Sequence, residues 1–436
     1  MSEKWIKSSF DKCFELHGNN TLARAQLSNV AGRIQDVHYG DVLVKYFTVV
    51  DCDVAQLPSI ISDAEHLAGK DYVKDGDIVF ADTAEDDTVG KAVEIINVGG
   101  RKVVSGLHTI FARPKFQFAP TWLGHYVNSN GFHSQILPYV CGSKVSSISR
   151  TNIRKTCVVY PKDISAQRHI AEVLSTCDEV IEKSERAAEK YRQIKAGMLK
   201  DLLTRGIDNR GKMRPPPSAA PELYKDSELG PIPKEWEVKR LGDCALISRG
   251  GSPRPIEDYV FENAEGYNWI KIGDVEPGAK YIVKTAEKMI PAGLVKTREV
   301  HVGDFLLSNS MSFGRPYILK IDGCIHDGWL AIQDYKETFD KEYLYYVLGA
   351  PMVLRQYGQL AAGSTVLNLK KEMVAKVLVA APVDLAEQRA IAERLAAVDE
   401  RIAAEVKTAE KYRKVKAGLM EKLLTPPPDA EIEEVE

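Results

Sequence analysis

Residues 166–172 read AQRHIAE, and the pattern returns as EQRAIAE at residues 387–393. A second match joins EKYRQIKAG at 189–197 to EKYRKVKAG at 410–418. One offset of 221 positions covers both matches (388 − 167 and 410 − 189). A unit repeated at half the chain length predicts a molecule of two similar halves, which present two similar surfaces to whatever they bind.

Both repeated segments have the heptad pattern of a coiled coil, with apolar or small residues spaced alternately by four and three. The positions from which we predict helix pairing are Ile170, Leu174, Ile181, Tyr191 and Leu202, and Ile391, Leu395, Ile402, Tyr412 and Leu423. Polar residues interrupt both seams at matching points, Ser184 with Glu405 and Lys195 with Lys416. Roughly forty helical residues form a rod of about 60 Å, which needs a partner along its apolar stripe. The nearest available partner for each helix is its own copy.

Each repeated helix has recognisable ends. Asp163 and Asp384 follow prolines and are expected to act as N-caps. Asp384 and Glu387 also form a capping-box pattern, which the first copy lacks. Gly206 and Pro426 stand just beyond the two C-termini, where such residues end helices.

The segments outside the helices have mixed patterns. We predict strands at 42–50, 77–81 and 102–104, and at 268–272, 304–307 and 317–321. Regular β-α-β alternation is missing from the sequence, which favours β-rich α+β domains. The halves are weakly alike here, since the Gly-Ser-x-Val loops at 142–145 and 363–366 are again 221 positions apart. Elsewhere these two segments diverge.

Two polar stretches are expected to lie in solvent. Residues 207–218 form a Pro-containing linker that we predict to be extended and exposed. Residues 426–436 combine three prolines with acidic residues, and we predict a frayed tail.

Composition limits the function classes. The chain has 436 residues, of which 44% are hydrophobic and 27% charged, and this predicts globular domains. A net charge of −3 means that nucleic-acid binding would rest on local basic strips or on a basic partner. Seven scattered cysteines and nine histidines lack metal-ligand spacing, so we expect no metal site. No long apolar run or signal-peptide pattern is found, so we expect a cytoplasmic protein without a membrane partner.

Catalytic motifs are missing, and we predict no catalytic residues. Glu85 stands where a phosphate-binding P-loop would need its first glycine before Gly90 and Lys91. The acidic cluster of Glu85, Asp86 and Asp87 suggests a metal-dependent nuclease as an alternative. We favour an exposed loop, because the second half has no acidic counterpart.

Several basic and hydroxyl-rich loops suit contacts with phosphates and bases, for which Lys, Arg, Ser, Thr and Asn are the usual ligands. The candidate DNA-binding residues of the first half are Lys91, Ser143, Lys144, Ser146, Ser147 and Arg150. Those of the second half are Arg249, Ser252, Arg254, Asn309, Arg315, Ser364, Thr365, Asn368, Lys370 and Lys371.

Taken together, the chain resembles the specificity subunit of type I restriction-modification systems over essentially its whole length. The most specific marks are the Gln-Arg-x-Ile-Ala-Glu starts at Gln167 and Gln388, and the stretches from Tyr191 to Thr204 and from Tyr412 to Thr425. LGPIPKEWEVKRLG at 229–242 is similar to the start of that family's second recognition domain, and Trp5 to Lys7 resemble the first start more weakly.

The resemblance implies an α+β fold with two β-rich target-recognition domains, separated by two long antiparallel coiled-coil helices in a pseudo-two-fold internal repeat. The implied segments are 1–160 for the first recognition domain, 161–206 for the first helix, 207–235 for the linker, 236–380 for the second recognition domain, 381–425 for the second helix and 426–436 for the acidic tail.

The function implied by the resemblance is non-catalytic, sequence-specific reading of a bipartite, asymmetric target in double-stranded DNA. Implied partners are two methyltransferase subunits, which would carry S-adenosylmethionine, and restriction-translocase subunits. This chain would bind no cofactor. A coiled-coil scaffold without DNA specificity and, further from the pattern, the nuclease are the alternatives.

Overall fold

The computed structural model describes residues 4–69, 71–142, 144–262, 265–276, 278–309, 313–361 and 368–435. Contacts divide the chain into unit 1, which comprises Met1–Ala187 with Glu405–Glu436, and unit 2, which comprises Ala188–Ala404. Each unit therefore contains one globular part and pieces of both long helices. Among the described residues, no helix is both long and apolar enough to cross a lipid bilayer.

The globular part of unit 1 is rich in short strands. Its strands are β1 (Lys4–Ser9), β2 (Phe14–His17), β3 (Leu27–Ser28), β4 (Ile34–Val37), β5 (Val49–Asp51), β6 (Ser59–Ile60), β7 (Ile78–Ala81), β8 (Thr83–Ala84), β9 (Ala92–Ile96), β10 (Lys102–Ser105), β11 (Thr109–Pro114), β12 (Ser146–Ser147) and β13 (Cys157–Pro161). Its short helices are α1 (Phe10–Cys13), α2 (Tyr39–Val44), α3 (Trp122–Val127), α4 (Asn130–Ile136) and α5 (Arg150–Ile153). The first long helix, α6, covers Ile164–Arg205.

The globular part of unit 2 has a similar content. Its strands are β14 (Tyr224–Lys225), β15 (Ile232–Pro233), β16 (Trp236–Arg240), β17 (Leu246–Arg249), β18 (Val260–Phe261), β19 (Tyr267–Ile270), β20 (Tyr281–Ile282), β21 (Glu287–Met289), β22 (Arg298–Val300), β23 (Phe305–Ser308), β24 (Pro316–Leu319), β25 (Gly323–Ile325), β26 (Trp329–Gln333) and β27 (Leu378–Pro382). Its short helices are α7 (Leu241–Cys244), α8 (Lys341–Leu348), α9 (Pro351–Ala361) and α10 (Lys371–Ala375). The second long helix, α11, covers Leu385–Leu423, and β28 (Glu431–Val435) ends the chain.

Each unit contains a five-stranded sheet that has the same topology as one in the other unit. The strand order is β2-β11-β7-β9-β5 in unit 1 and β17-β26-β23-β24-β20 in unit 2. In both sheets the last pair is parallel and the other pairs are antiparallel. The central strands β7 and β23 are buried along their whole length, as their uninterrupted apolar sequences require. The globular parts are therefore repeated as well, although their sequences differ.

Each unit also has a second sheet, and the two second sheets differ in the number and order of their strands. It has four strands in the order β10-β4-β6-β3 in unit 1, and five in the order β18-β21-β19-β25-β22 in unit 2. These second sheets give each globular part surfaces of its own.

The long helices pack against each other within each unit. In unit 1, Asp178 and Glu185 of α6 pair with Lys416 and Arg413 of α11. Positions that rise along α6 meet positions that fall along α11, so the packing is antiparallel. In unit 2, Leu202 and Leu203 of α6 share a hydrophobic core with Ile391 and Leu395 of α11. The predicted antiparallel helix pair and the α+β class are thus confirmed.

The prediction of a strand over residues 42–50 is wrong, because this stretch forms α2 and then β5. The ring of His38 accepts a hydrogen bond from the backbone N–H of Gly40 and so caps the start of α2. Val42 is buried, but Val44 is 86% exposed, which a half-buried strand with these two side chains on one face would not allow. Lys91 donates to the carbonyls of Leu43 and Tyr46 at the other end of α2.

The predicted linker is exposed over most of its length, as expected, but two of its residues are buried. Ile207 and Arg214 are buried, and Arg214 forms an ion pair with Glu387 at the start of α11. Glu387 also accepts hydrogen bonds from the backbone N–H of Ile207 and from the indole of Trp236. Its carboxylate therefore fastens the linker to α11, a role that the predicted capping box did not foresee.

The predicted frayed tail is also wrong in part, because residues 431–435 form strand β28. This strand pairs in parallel with β1, with Trp5 opposite Ile432. Lys7 lies 2.8 Å from Glu434, and Lys162 lies 2.9 Å from Glu433. A local reading of composition missed this pairing because β1 stands at the far end of the sequence.

Candidate nucleic-acid interface

In unit 2, several of the predicted DNA-binding residues lie at one edge of the sheet β17-β26-β23-β24-β20. Strands β17 and β23 end at this edge and β26 begins there, since Arg249 stands opposite Leu330 and Ser308 opposite Trp329. The connections that follow Arg249 and Ser308, and the one that precedes Trp329, therefore meet on one side of the unit.

Three of the predicted residues converge on Asp327. The guanidinium Nε of Arg249 donates to the Asp327 carbonyl at 3.2 Å, and the Asn309 amide donates to the same oxygen at 2.9 Å. The Ser252 hydroxyl donates to Oδ1 of Asp327 at 2.9 Å. His326 also approaches this carboxylate, at 3.0 Å from Nε2 to Oδ1. Asp327 and His326 are functional candidates that the sequence reasoning missed, because their importance depends on three segments that meet only in the fold.

Asn309 is buried at this edge and connects the neighbouring segments by hydrogen bonds. It is 2% exposed, and its backbone N–H donates to the Gly328 carbonyl while its own carbonyl accepts from Leu369. Its side chain is thus occupied inside the protein and positions the neighbouring segments. Next to Leu369, the side chains of Asn368 and Lys370 are exposed.

The remaining candidates of unit 2 differ in their surroundings. Arg254 is exposed, and so is Lys371 at the start of α10. Arg315 is half-buried, with its guanidinium carbon 5.5 Å from the centre of the Tyr317 ring. Ser364 and Thr365 lie outside the described residues.

The glycines of the Arg249–Arg254 loop are explained by close backbone approach. A Cβ on Gly250 would stand 2.7 Å from the Ile325 carbonyl oxygen, and one on Gly251 would stand 2.6 Å from that of Lys296. Both distances are too short for a side chain, so glycine lets this loop lie directly on the strand ends beneath it.

In unit 1, the equivalent edge of the sheet carries the other predicted loop. Strand β7 ends where β11 begins, with Ala81 opposite Thr109, and β12 pairs with β8 through Ser147 and Thr83. This pairing brings Ser146 and Ser147 to the same edge as the 82–88 connection. Lys144 is exposed, and Ser143 lies outside the described residues.

Arg150 connects this loop to an asparagine that the sequence reasoning missed. Its guanidinium donates to the side-chain oxygen of Asn19 at 2.7 Å, and Asn19 in turn donates to the Gly106 carbonyl. His108 follows nearby, with Nδ1 3.5 Å from Oδ1 of Asp82. Asn19 and His108 lie in short connections at glycine-bearing turns, and this is the signal that could have identified them.

Lys91 is in a different setting from the other candidates. Its ammonium donates to the carbonyls of Leu43 and Tyr46, both at 2.8 Å. Burial lowers the pKa of Lys91. The structure thus gives this lysine a structural role at the end of α2.

The acidic loop of unit 1 forms a local turn. Asp86 accepts hydrogen bonds from the hydroxyl and from the backbone N–H of Thr88, and these bonds lower the pKa of its carboxyl. In the ranges that the structure describes, no group of three or more His, Cys, Asp or Glu side chains is placed to hold a metal ion.

A further surface repeats on the two long helices, and we call it the repeated helix face. It consists of Lys190, Ile194 and Gly197 on α6, and Lys411, Val415 and Gly418 on α11. The spacing of four and three places each set on one side of its helix. Ile194 and Val415 are both 41% exposed, and a Cβ on either glycine would meet nothing within 4 Å. The packing of the chain itself does not explain a glycine in these positions, which costs a helix about 1 kcal/mol relative to alanine.

Comparison with known proteins agrees with this architecture. Residues 233–411 match the family of the type I restriction modification DNA specificity domain. The chain is 29% identical to the putative type I restriction enzyme MjaX specificity subunit of Methanocaldococcus jannaschii, over 80% of this chain and 78% of that one. It is 26% identical to the MjaVIII specificity subunit of the same organism, over 60% of each chain.

Two solved structures share the fold. The type I restriction-modification S subunit from M. genitalium superposes with a TM-score of 0.57 at 12% identity, over 98% of this chain and 97% of that one. A chain from a structure of the assembly and conformational transition of the type I R-M system gives a TM-score of 0.55 at 17% identity, over 97% of each chain.

Proposed function

Because the chain belongs to the DNA specificity subunits of type I restriction-modification systems, we propose that its two units each read one half of a bipartite DNA target. The sheet edges described above carry this proposal. Both units place basic and polar loops at the same edge of a sheet with the same topology. The side chains at the two edges differ, so the two half-sites differ and the target is asymmetric.

The cations at the two edges divide between the half-sites, and all of them are exposed except Arg150, which is half-buried. Lys144 and Arg150 contact DNA at the first, and Arg254, Lys370 and Lys371 at the second. Lysines and arginines on such loops bind mostly phosphates, and these contacts fix the position of the protein on the DNA. Sequence specificity comes from contacts with the base edges. With a net charge of −3 the chain leaves part of the phosphate neutralisation to its partners.

The repeated helix face supports docking of two copies of one partner, the methyltransferase subunit. Two identical subunits need two similar surfaces, and this face occurs once on each long helix. An exposed glycine beside an exposed aliphatic side chain lets a partner helix approach the backbone closely. These subunits hold the S-adenosylmethionine and turn out the adenine that they methylate. The specificity chain itself is non-catalytic, and restriction-translocase subunits complete the assembly.

The decisive experiment is methylome sequencing of cells that carry the complete system. We expect one methylated motif made of two unlike half-sites around a fixed unread spacer. Lys144→Ala should relax or weaken the first half-site only, and Lys371→Ala the second only.

Matched controls are exposed residues away from both edges, such as His169→Ala on α6. A contiguous motif, or equal weakening of both half-sites by either variant, would overturn the proposal. Intact methylation without any sequence motif would instead indicate a scaffold without DNA specificity.

A further inference from the structure

Among the ion pairs between the long helices, one in each unit has a counterpart in the other unit. Lys416 of α11 lies 2.6 Å from Asp178 of α6 in unit 1. Lys195 of α6 lies 2.6 Å from Asp399 of α11 in unit 2. Asp399 follows Asp178 by 221 positions, and Lys416 follows Lys195 by the same offset. These two lysines are one of the two matched pairs of polar residues that interrupt the apolar seam.

Each aspartate is also held by the globular part of its own unit. The Thr48 hydroxyl donates to Oδ2 of Asp178 at 3.2 Å, and His125 lies 3.1 Å from the same hydroxyl. In unit 2 the Tyr346 hydroxyl donates to Oδ2 of Asp399 at 2.8 Å. One carboxylate thus joins three elements in each unit, namely both long helices and the recognition domain.

The surroundings of the two ion pairs make it costly to break them. Lys416 is 9% exposed and His125 is fully buried, so an unpaired charge in unit 1 would be costly. In unit 2, Lys195 lies over the Tyr346 ring, 5.4 Å from its centre. The nearby pair of Glu185 and Arg413 is exposed, and exposed pairs impose little on geometry. Polar residues at seam positions are known to fix the register of paired helices.

We propose that the pairs Asp178–Lys416 and Asp399–Lys195 are positioning residues that determine the length of the DNA spacer. This rests on the function proposed above. Each pair fixes the register of the two helices. The same pair also fixes the position of one recognition domain relative to these helices. Without that restraint, the reading edges would tolerate half-sites one base pair closer or farther apart.

The test compares methylomes of wild type and of Asp178→Asn combined with Lys416→Met, a replacement that removes both charges and keeps similar volumes. In wild type, we expect motifs with a spacer one base pair off to be methylated at least about 100-fold less than the cognate motif. In the double variant, we expect this ratio to fall below about tenfold, with the letters of both half-sites unchanged. Asp399→Asn with Lys195→Met should act in the same direction.

The matched control is Glu185→Gln with Arg413→Gln, which removes the exposed pair and should leave the spacer unchanged. If the charge-free variants fold poorly, Thr48→Val and Tyr346→Phe detach only the recognition domain from its aspartate and should relax the spacer more mildly. Unchanged spacer selectivity in variants that methylate normally would overturn the inference. A wild-type methylome without a bipartite motif would instead overturn the function on which it rests.

Discussion

Gln167 and Gln388 make the same hydrogen bonds in the two units. The amide of Gln167 donates to the Pro161 carbonyl at 2.8 Å, and that of Gln388 donates to the Pro382 carbonyl at 2.9 Å. Each side-chain oxygen accepts a backbone N–H from the recognition domain, that of Ala119 in unit 1 and that of Asp340 in unit 2. The repeated glutamine therefore connects the last strand, the long helix and the domain that precedes it in each unit.

Replacing either glutamine should destabilise only the unit that contains it. Gln388→Ala leaves a buried N–H without its acceptor, which costs about 1–3 kcal/mol. We expect faster hydrogen exchange in α8 and β27 of unit 2, while Gln167→Ala should affect unit 1 instead. Arg168→Ala, an exposed change next to Gln167, is the control. Equal protection in variant and wild type would contradict this role.

Two glycines of unit 2 should respond oppositely to alanine. Gly206 has φ +64°, and a Cβ there would stand 2.5 Å from the Trp236 ring, so Gly206→Ala should destabilise unit 2 by more than about 1–2 kcal/mol. Gly197 is helical with open space around it, and Gly197→Ala should stabilise α6 by about 1 kcal/mol. Thermal unfolding of both variants measures the difference. A loss of stability in Gly197→Ala would show that this glycine serves the fold itself.

The repeated helix face should determine how many methyltransferase subunits bind. We expect Ile194→Asp and Val415→Asp each to remove one copy, and the double variant to remove both, because a buried carboxylate opposes the apolar contact. Native mass spectrometry of the purified complex counts the copies. Val44→Asp, at a valine on α2 that is even more exposed, should leave two copies in place. Full occupancy in the double variant would place the docking surface elsewhere.

Stability of unit 1 should depend on pH through His125. Burial and, to a smaller degree, Lys416 lower the pKa of this ring to about 3, whereas the unfolded ring titrates near 6.5. Between these values only the unfolded chain takes up the proton, so this contribution to stability is lost as pH falls from 6.5 towards 3. The slope is about 1.4 kcal/mol per pH unit, and His125→Asn should remove it.

The contribution of Glu94 to stability changes with pH in the opposite direction, so Glu94 must be tested together with His125. Burial raises the pKa of its carboxyl to about 7, so its contribution is present below 4.5 and is lost as pH rises through 7. Between 4.5 and 6.5 the two effects oppose each other in wild type. Unfolding midpoints against pH should therefore tilt in opposite directions in His125→Asn and Glu94→Gln. Parallel curves for both variants and wild type would refute the assignment.

The long helices were predictable because their signals are local. Asp163 and Asp384 cap them as expected, accepting from the backbone N–H groups of Ser165 and Ala386. Heptad spacing also indicated which sides meet. The strand predictions at 77–81 and 304–307 were correct within a residue for the same reason, since their apolar runs are uninterrupted.

The features that could not be predicted depend on contacts between residues far apart in the sequence. The stretch 42–50 has strand-like composition, but it forms α2 where His38 and Lys91 satisfy its ends. Asn309 looked like a base-reading residue, yet the fold buries it beneath Asp327. The loops of the interface were found by composition, whereas their convergence on Asp327 required the sheet that aligns them.

The pairing of β28 with β1 affects how a newly made chain matures. Unit 1 combines segments that lie on both sides of unit 2 in the sequence, so synthesis reaches every residue of unit 2 before it reaches β28. Unit 2 therefore has all of its residues while unit 1 still lacks its part of α11 and strand β28. A chain that stops before Glu405 would therefore lack both the α11 segment that supplies Lys416 to unit 1 and the strand that pairs with β1.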